Sequence, residues 1–172
     1  MHVSPPTALC PAATGSRPTY PYAPSTQGPP PRLRTKGRTG SGLGLSFTLP
    51  GGPRSAPIAR TATAVALKTH GLTAYVWPVS HAVNELVAVT ARLSPGRELY
   101  VSLRHREDAV RLLVWDQHPH HVEPDTAALC EVRRRRALWL LAAVVDDWGG
   151  EWGVCEAPQP MRGSKSWVTL PR

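Results

Sequence analysis

Apolar and polar residues alternate in five short segments after residue 44. Alternation with a period of two is typical of a strand that buries one face, because successive side chains point to opposite sides of a sheet. Gly51-Gly52-Pro53 after the first segment indicates an edge strand and a turn, and Arg106-Glu107-Asp108 favours a hairpin between the second and third. The predicted strands are Leu45–Pro50, Glu98–His105, Ala109–Asp116, Trp152–Glu156 and Ser166–Leu170.

Apolar residues at helical spacing occupy the gaps between these strands. Ser55 is the expected cap of the first helix, with Pro57 in its first turn, where a missing N–H costs little. The predicted helices run from Ser55 to Gly71, from near Trp77 to Pro95, and from Thr126 or Glu131 to Asp147. Their expected inward residues are Ile58, Ala62, Val65 and Ala66; then Val79, Val83, Leu86, Thr90 and Leu93; then Leu138, Leu141, Ala142 and Val145.

The resulting order is strand, helix, helix, strand, strand, helix, strand, strand. Strand runs interrupted by helices predict an α/β (α+β) two-layer sandwich, with a mixed, mostly antiparallel sheet and helices on one face. Residues 1–45 are rich in Pro, Ser, Thr and Gly and lack apolar periodicity, which predicts a disordered tail. The folded domain is therefore expected to span residues 46–172.

Four short motifs follow one another in this domain. They are Glu85-Leu86-Val87 on the second helix, Val114-Trp115-Asp116 at a strand end, Trp148-Gly149 after the third helix, and Lys165-Ser166-Trp167 in the last strand. In order and spacing they resemble the motifs of the histidine-kinase-like ATPase superfamily, in the branch of bacterial anti-sigma-factor serine kinases and their actinobacterial relatives. The resemblance covers roughly residues 46–172, and it implies the histidine-kinase-like ATPase fold.

The resemblance also implies a site for ATP and Mg²⁺. In that family a helix Glu is the general base, a strand-end Asp accepts a hydrogen bond from the adenine amino group, a closing-strand residue supports that Asp, and a glycine-rich turn binds the phosphates. The corresponding residues here are Glu85 as the catalytic base, and Asp116, Arg135, Arg136, Ala137 and Lys165 as cofactor-binding residues, with Ser164 or Ser166 replacing Lys165 after a one-residue slip.

Five positions depart from the family pattern, all on the nucleotide side. They are Val89, Leu93, His118, the Arg135/Ala137 pair and Lys165. Val89 stands where the family has an Asn that helps to hold Mg²⁺, an ion that requires oxygen ligands. A Cβ in the phosphate turn obstructs the approach of phosphate to backbone N–H groups. The departures predict a retained fold with ATP and Mg²⁺ binding weakened or lost.

The leading hypothesis is therefore a cytoplasmic regulatory protein that binds a protein partner, such as a sigma factor or an anti-sigma antagonist. The resemblance also leaves room for a homodimer. The alternative is an active ATP-dependent serine/threonine kinase of the same family. A second alternative is a basic nucleic-acid-binding protein, because the chain carries a net charge of +8. No apolar run reaches the roughly 18 residues needed to span a bilayer, so no membrane association is predicted.

The block Arg133–Arg136 is expected at a helix start, where its charge opposes the helix dipole and favours an anionic ligand. His118, His120, His121 and Cys130 are metal-ligand types, but their spacing matches no zinc pattern. A solvated His-rich loop is the preferred interpretation, and no metal site is predicted.

The cysteines and tryptophans give weaker indications of function than the motifs above. Cys10, Cys130 and Cys155 form no CxxC pair, which favours reduced thiols, and no base is evident for a catalytic cysteine. The six tryptophans are interpreted as packing residues.

Overall fold

The computed structural model of the protein describes residues 42–119, 121–157 and 162–172. The predicted tail therefore lies outside the described residues, except at its end. Leu43 is already buried, and the first strand begins at Gly44. The boundary predicted between residues 45 and 46 falls inside that strand, because the alternation that marks the strand starts before Leu45.

Five strands form one open sheet in the order β1-β2-β3-β5-β4, and every neighbouring pair is antiparallel. The strands are β1 (Gly44–Pro50), β2 (Glu98–Arg106), β3 (Ala109–Asp116), β4 (Glu151–Glu156) and β5 (Ser164–Pro171). The predicted two-layer α+β sandwich is confirmed, with β1 at an edge as expected. The β2–β3 turn is also confirmed. Glu107 and Asp108 have φ values of 53° and 57°, the left-handed pair found in two-residue hairpin turns.

The helices are α1 (Ser55–Thr69), α2 (Val76–Leu93), α3 (Pro124–Ala137) and α4 (Trp139–Asp147), with a short 3-10 helix at Thr73–Tyr75. The third predicted helix is therefore two helices. The break falls at Leu138, where φ is −97° and ψ is 17°, and its N–H is shared between the carbonyls of Arg134 and Arg135. Neither Gly nor Pro stands at this break, so no local signal marked it.

Helix α2 carries the centre of the core. Its predicted inward residues are all buried, and α2 packs against α1, α4 and the strands β2 and β3. The side chains of each strand alternate between this helix-facing side and the opposite side of the sheet. On the helix-facing side, Val101, Val114 and Val168 are each buried. The sheet and α2 thus form a single apolar layer between them.

The prediction for α1 was correct in part, because Ala66 packs against the core and Ala62 is half-buried, but it missed the most buried side chains. Ala59, Thr63 and Leu67 face the core, whereas Ile58 and Val65 are 51% and 57% exposed. Small side chains let α1 lie close to α2, and the Thr63 hydroxyl donates to the Ala59 carbonyl within the helix. The sequence-based stripe was chosen by apolar character without regard to side-chain size, so it included the exposed Ile58 and Val65.

The start of α1 also differs from expectation. Arg54 occupies the N-cap position, and no side chain caps the helix. The Ser55 hydroxyl instead donates to the Pro50 carbonyl, which ties the helix to the end of β1.

Candidate functional site

Asp116 ends β3 with its side chain on the helix-facing side of the sheet, where it is fully buried. Its Oδ1 accepts hydrogen bonds from the backbone N–H of His118 at 2.8 Å and of Ser164 at 3.3 Å. Its Oδ2 accepts a hydrogen bond from the Arg134 guanidinium at 3.1 Å. Both carboxylate oxygens are thus bonded within the chain.

Arg134 reaches this carboxylate from α3 and is itself only 3% exposed. A second guanidinium nitrogen donates to the Ser166 hydroxyl on β5 at 3.2 Å. Removing two charges from water costs several kcal/mol per ion, so such a pair persists only with close geometry and further hydrogen bonds. The Asp116–Arg134–Ser166 group has both. Sequence reasoning did not single out Arg134, because nothing local distinguishes it from its three neighbours.

His118 is 5% exposed, so the expectation of a solvated loop is wrong at this residue. Its Nδ1 lies 3.1 Å from the Leu93 carbonyl, which can only accept, so Nδ1 carries the proton. Burial lowers the pKa of the His118 imidazole below its ordinary value, and the neighbouring Asp116 carboxylate acts in the opposite direction.

The second ring nitrogen of His118 faces two further residues. His118 Nε2 lies 3.1 Å from His121 Nε2 and 3.2 Å from the buried Cys130 Sγ on α3. Cys130 therefore does have an imidazole beside it, contrary to the sequence-based expectation, because the fold places α3 over the loop after β3. His120 lies outside the described residues.

Glu85 is half-buried on α2, and the Asn84 side-chain amide donates to its Oε1 at 3.3 Å. One turn further, Val89 is 1% exposed and belongs to the core, as does Leu93. Within the described part of the chain, no hydrogen bond or ion pair joins Glu85 to the group around Asp116.

Arg135, Arg136 and Ala137 lie in the last turn of α3 rather than at a helix start. The expected conflict with the helix dipole is therefore wrong, since cations are favourable at a helix C-terminus. Arg135 pairs with Glu131 at 3.0 Å on the exposed surface. Since Arg134 points inward, the four arginines do not converge on one ligand.

Lys165 and Asp116 are not brought together. Asp116 pairs with Ser164 across the two strands and faces the helices, whereas Lys165 pairs with Trp115 and faces the other side of the sheet. Ser166 takes the place next to the carboxylate. The alternation in β5 contained this signal, because inward Val168 and Leu170 require Ser166 to be inward and Lys165 outward.

A second feature is the side of the sheet that faces away from the helices, here called the outer sheet face. Register places Tyr100 beside Trp115 and Leu113 beside Trp167 on this face, and all four are half-buried. The Trp167 indole lies across Gly153, where an added Cβ would come within 2.9 Å of the ring. The basic side chains on the same face are Arg104, Arg106, Arg111 and Lys165.

The prediction of packing roles for the six tryptophans is therefore correct in part. Trp148 and Trp152 pack against the core. Trp77 and Trp139 are 53% and 69% exposed, on α2 and α4. Trp115 and Trp167 belong to the outer sheet face.

No protein-family model matches the chain, and no curated protein matches it. Among the described helices, none is both long enough and apolar enough to cross a membrane.

Proposed function

We propose that this chain is a cytoplasmic regulatory protein of the histidine-kinase-like ATPase type that acts by binding a protein partner and does not turn over ATP. The partner class is the one implied by the sequence resemblance, a sigma factor or an anti-sigma antagonist. The observation that carries the proposal is the state of Asp116. Its carboxylate, the group expected to read adenine, is buried and bonded to Arg134 and two backbone N–H groups.

The Mg²⁺ side of the expected site supports the same conclusion. Val89 lies in the core, one turn after Glu85, and offers no oxygen ligand. Arg136 and Ala137 close an α-helix instead of forming a glycine-rich turn. A base without a metal ligand or a phosphate cradle has no means of positioning a triphosphate.

Exposed apolar side chains on α3 and α4 support a protein-binding role. Leu129 and Val132 are 49% and 51% exposed on the side of α3 opposite Cys130 and Arg134, and Trp139 follows on α4. Exposed Arg136 shares that side of α3 by helical spacing. We name Leu129, Val132, Arg136 and Trp139 the α3–α4 surface. Its mixture of apolar and cationic groups fits an acidic, apolar segment of the partner.

The nucleotide arm of the test is a melting curve with and without millimolar MgATP. A ligand present at 100 times its Kd stabilises the native state by about 2.7 kcal/mol, which would raise Tm by roughly 5–11 °C in a chain of this size. We expect no such rise. A Mg-dependent rise that Asp116→Asn abolishes would instead show that the chain binds ATP, and would favour the kinase alternative over the proposed function.

The partner arm measures binding to the sigma factors and anti-sigma antagonists of the host genome. Val132→Glu and Trp139→Glu are expected to weaken binding at least tenfold, because each places a carboxylate opposite an acidic segment. Val65→Glu is the matched control, since Val65 is equally exposed but lies on α1. Equal loss in the control would place the contact elsewhere, and absence of binding to every candidate would refute the proposed partner class.

The outer sheet face favours a second candidate function, the binding of single-stranded nucleic acid. Tyr100, Trp115 and Trp167 offer ring surfaces on adjacent strands. Three arginines and one acidic residue, Arg104, Arg106, Arg111 and Glu107, line a cleft of about 220 Å³ at the hairpin end of β2 and β3. Stacked bases and backbone phosphates require this combination of aromatic and basic groups.

Fluorescence anisotropy with labelled single-stranded oligonucleotides tests this candidate. Trp115→Ala and Trp167→Ala should each weaken binding by about 5- to 150-fold, the range for loss of one base–aromatic stack. Trp139→Ala is the control, as an exposed tryptophan on the helical side of the molecule. If the control weakens binding as much as the other two, the outer sheet face is not the binding surface.

A further inference from the structure

Three metal-ligand atoms converge where the loop after β3 meets α3. His118 Nε2, His121 Nε2 and Cys130 Sγ all lie within 4.8 Å of one another, with His118 Nε2 at 3.1 Å and 3.2 Å from the other two. Two of the three side chains are buried, with His118 5% and Cys130 7% exposed, so the cluster is not a chance approach of mobile surface residues. Imidazole nitrogen and thiolate sulfur are the ligands preferred by zinc-class ions.

The orientation of His118 suits a ligand. Its Nδ1–H donates to the Leu93 carbonyl, which fixes the ring and leaves the Nε2 lone pair directed at His121 and Cys130. A metal-bound histidine usually donates its other ring N–H to such an acceptor. The Asp116 carboxylate accepts a hydrogen bond from the His118 backbone N–H at 2.8 Å and so holds the main chain of this ligand.

The spacing is close to that of a tetrahedral centre. Zn–N and Zn–S bonds of about 2.0–2.1 Å and 2.3 Å place two nitrogen ligands about 3.3 Å apart, and a nitrogen and a sulfur about 3.6 Å apart. The separations of 3.1 Å and 3.2 Å around His118 Nε2 differ from these values by only a few tenths of an ångström, and the third pair, His121 Nε2 and Cys130 Sγ, lies within 4.8 Å. Within residues 42–119, 121–157 and 162–172 the group has three members, so a fourth position remains for water or an added ligand.

We propose that His118, His121 and Cys130 form a binding site for a zinc-class divalent ion that fastens α3 to the sheet. As the ion binds, Cys130 loses its thiol proton to solvent and coordinates as the thiolate. The assignment of this site requires neither the proposed partner binding nor ATP.

Helix α3 is held to the rest of the domain by few buried side chains, and a bound ion would add to them. Within α3 only Cys130 and Arg134 are buried, so the helix has almost no apolar contact face. Both residues point at the end of β3, Cys130 at His118 and Arg134 at Asp116. An ion bridging Cys130 to the two histidines would strengthen one of only two buried attachments and hold the α3–α4 surface in place.

Titration of the reduced, metal-free full chain with Co²⁺ tests the site. Tetrahedral thiolate coordination gives a sulfur-to-cobalt charge-transfer band and intense visible bands, at one ion per chain, and Zn²⁺ should abolish them by displacement. Mg²⁺ should have no effect, because it prefers oxygen ligands. Absence of the charge-transfer band at saturating Co²⁺ would overturn the proposal.

Matched variants locate the ligands. Cys130→Ser should remove the charge-transfer band, whereas Cys155→Ser should retain it, since Cys155 is exposed and lies on β4. His121→Ala should weaken Zn²⁺ binding by more than about 100-fold, beyond the loss typical of an outer-shell partner, while exposed His70→Ala should not change it. Persistence of the band in Cys130→Ser, or unchanged affinity in His121→Ala, would refute the assignment.

Amide hydrogen exchange tests the fastening of α3 and does not depend on any variant folding well. At free Zn²⁺ 100 times its Kd, local opening that breaks the site should become about 100-fold rarer, so the amides of α3 should exchange correspondingly more slowly. Amides of α1, which supplies none of the three ligands, serve as the internal control. Equal exchange in α3 with and without Zn²⁺ would show that no ion holds the helix.

Discussion

At the scale of single residues, the buried ion pair between Asp116 and Arg134 gives the sharpest prediction. Arg134→Met keeps an unbranched, apolar stem but leaves a buried carboxylate without its counter-charge. Removing one partner of a buried pair typically costs about 3–5 kcal/mol, and we expect a loss of that size in the free energy of unfolding. Urea denaturation followed by circular dichroism measures it.

Arg135→Met is the control for this change, because Arg135 pairs with Glu131 on the surface, where an i,i+4 ion pair contributes about 0.3–0.5 kcal/mol. Adding Asp116→Asn to Arg134→Met should recover part of the lost stability, since the double variant no longer buries an unpaired charge. Equal losses in the two single variants would mean that the guanidinium of Arg134 is solvated.

Gly163 makes a second prediction at this scale. Its φ is +113°, and an added Cβ would lie 1.7 Å from the backbone carbonyl oxygen of Asp116. Gly163→Ala should therefore displace the start of β5 from Asp116 and cost roughly 2–4 kcal/mol of unfolding free energy. In Gly52→Ala, a Cβ would meet no atom within 4 Å, so its melting temperature should stay close to that of the parent.

At the scale of elements, the β2–β3 hairpin uses an unfavourable turn sequence. Glu107 and Asp108 both adopt positive φ, which Asn-Gly tolerates far better than Glu-Asp. Replacing the pair by Asn-Gly should stabilise the protein by roughly 1 kcal/mol and raise Tm by roughly 2–4 °C. Glu107→Val should lower Tm, because a β-branched residue resists this conformation. A fall in Tm for the Asn-Gly variant would contradict the assigned turn.

The elements that could be predicted from sequence are those in which apolar residues recur at regular spacing and the buried face does not depend on side-chain size. Strict alternation in β2 and β3, and the 3.6-residue stripe of α2, each identified the element and its buried face. The face of α1 could not be found this way, because close packing against α2 selects Ala59 and Thr63 over the larger Ile58 and Val65. Apolar character alone does not encode how near two helices approach.

The candidate sites depended on relations between elements. Burial of Arg134 and Cys130 follows from where α3 lies on the sheet, and no residue within α3 reports that placement. The break at Leu138 could not be predicted either, since neither Gly nor Pro stands there. The outward position of Lys165, in contrast, could have been predicted from the alternation of inward and outward side chains along β5. The motif comparison missed it because it matched residues without considering which face of the strand each one occupies.

At the scale of the whole molecule, the described residues present two chemically different sides. The helical side holds the buried polar group at Asp116, the His118–His121–Cys130 cluster and the α3–α4 surface. The outer sheet face holds aromatic and basic side chains. Five of the chain's basic residues lie before residue 42, where there is no acidic residue, so much of the net charge of +8 lies outside the described residues. Total charge therefore does not reveal which side, if either, contacts nucleic acid.

The dependence of binding on salt separates the contribution of the outer sheet face from that of the residues before residue 42. Replacing Arg104, Arg111 and Lys165 by Gln removes three cations from the outer sheet face. For single strands this should reduce the slope of log K against log salt by about 2, and it should lower the quenching of tryptophan fluorescence at a fixed strand concentration, because less strand is bound. Replacing the five basic residues before residue 42 by Gln should leave the quenching intact, because stacking on Trp115 and Trp167 does not use them. The opposite pattern, with the slope falling only in the tail variant, would assign the basic character of the chain to non-specific attraction and leave protein binding as the role of the folded part.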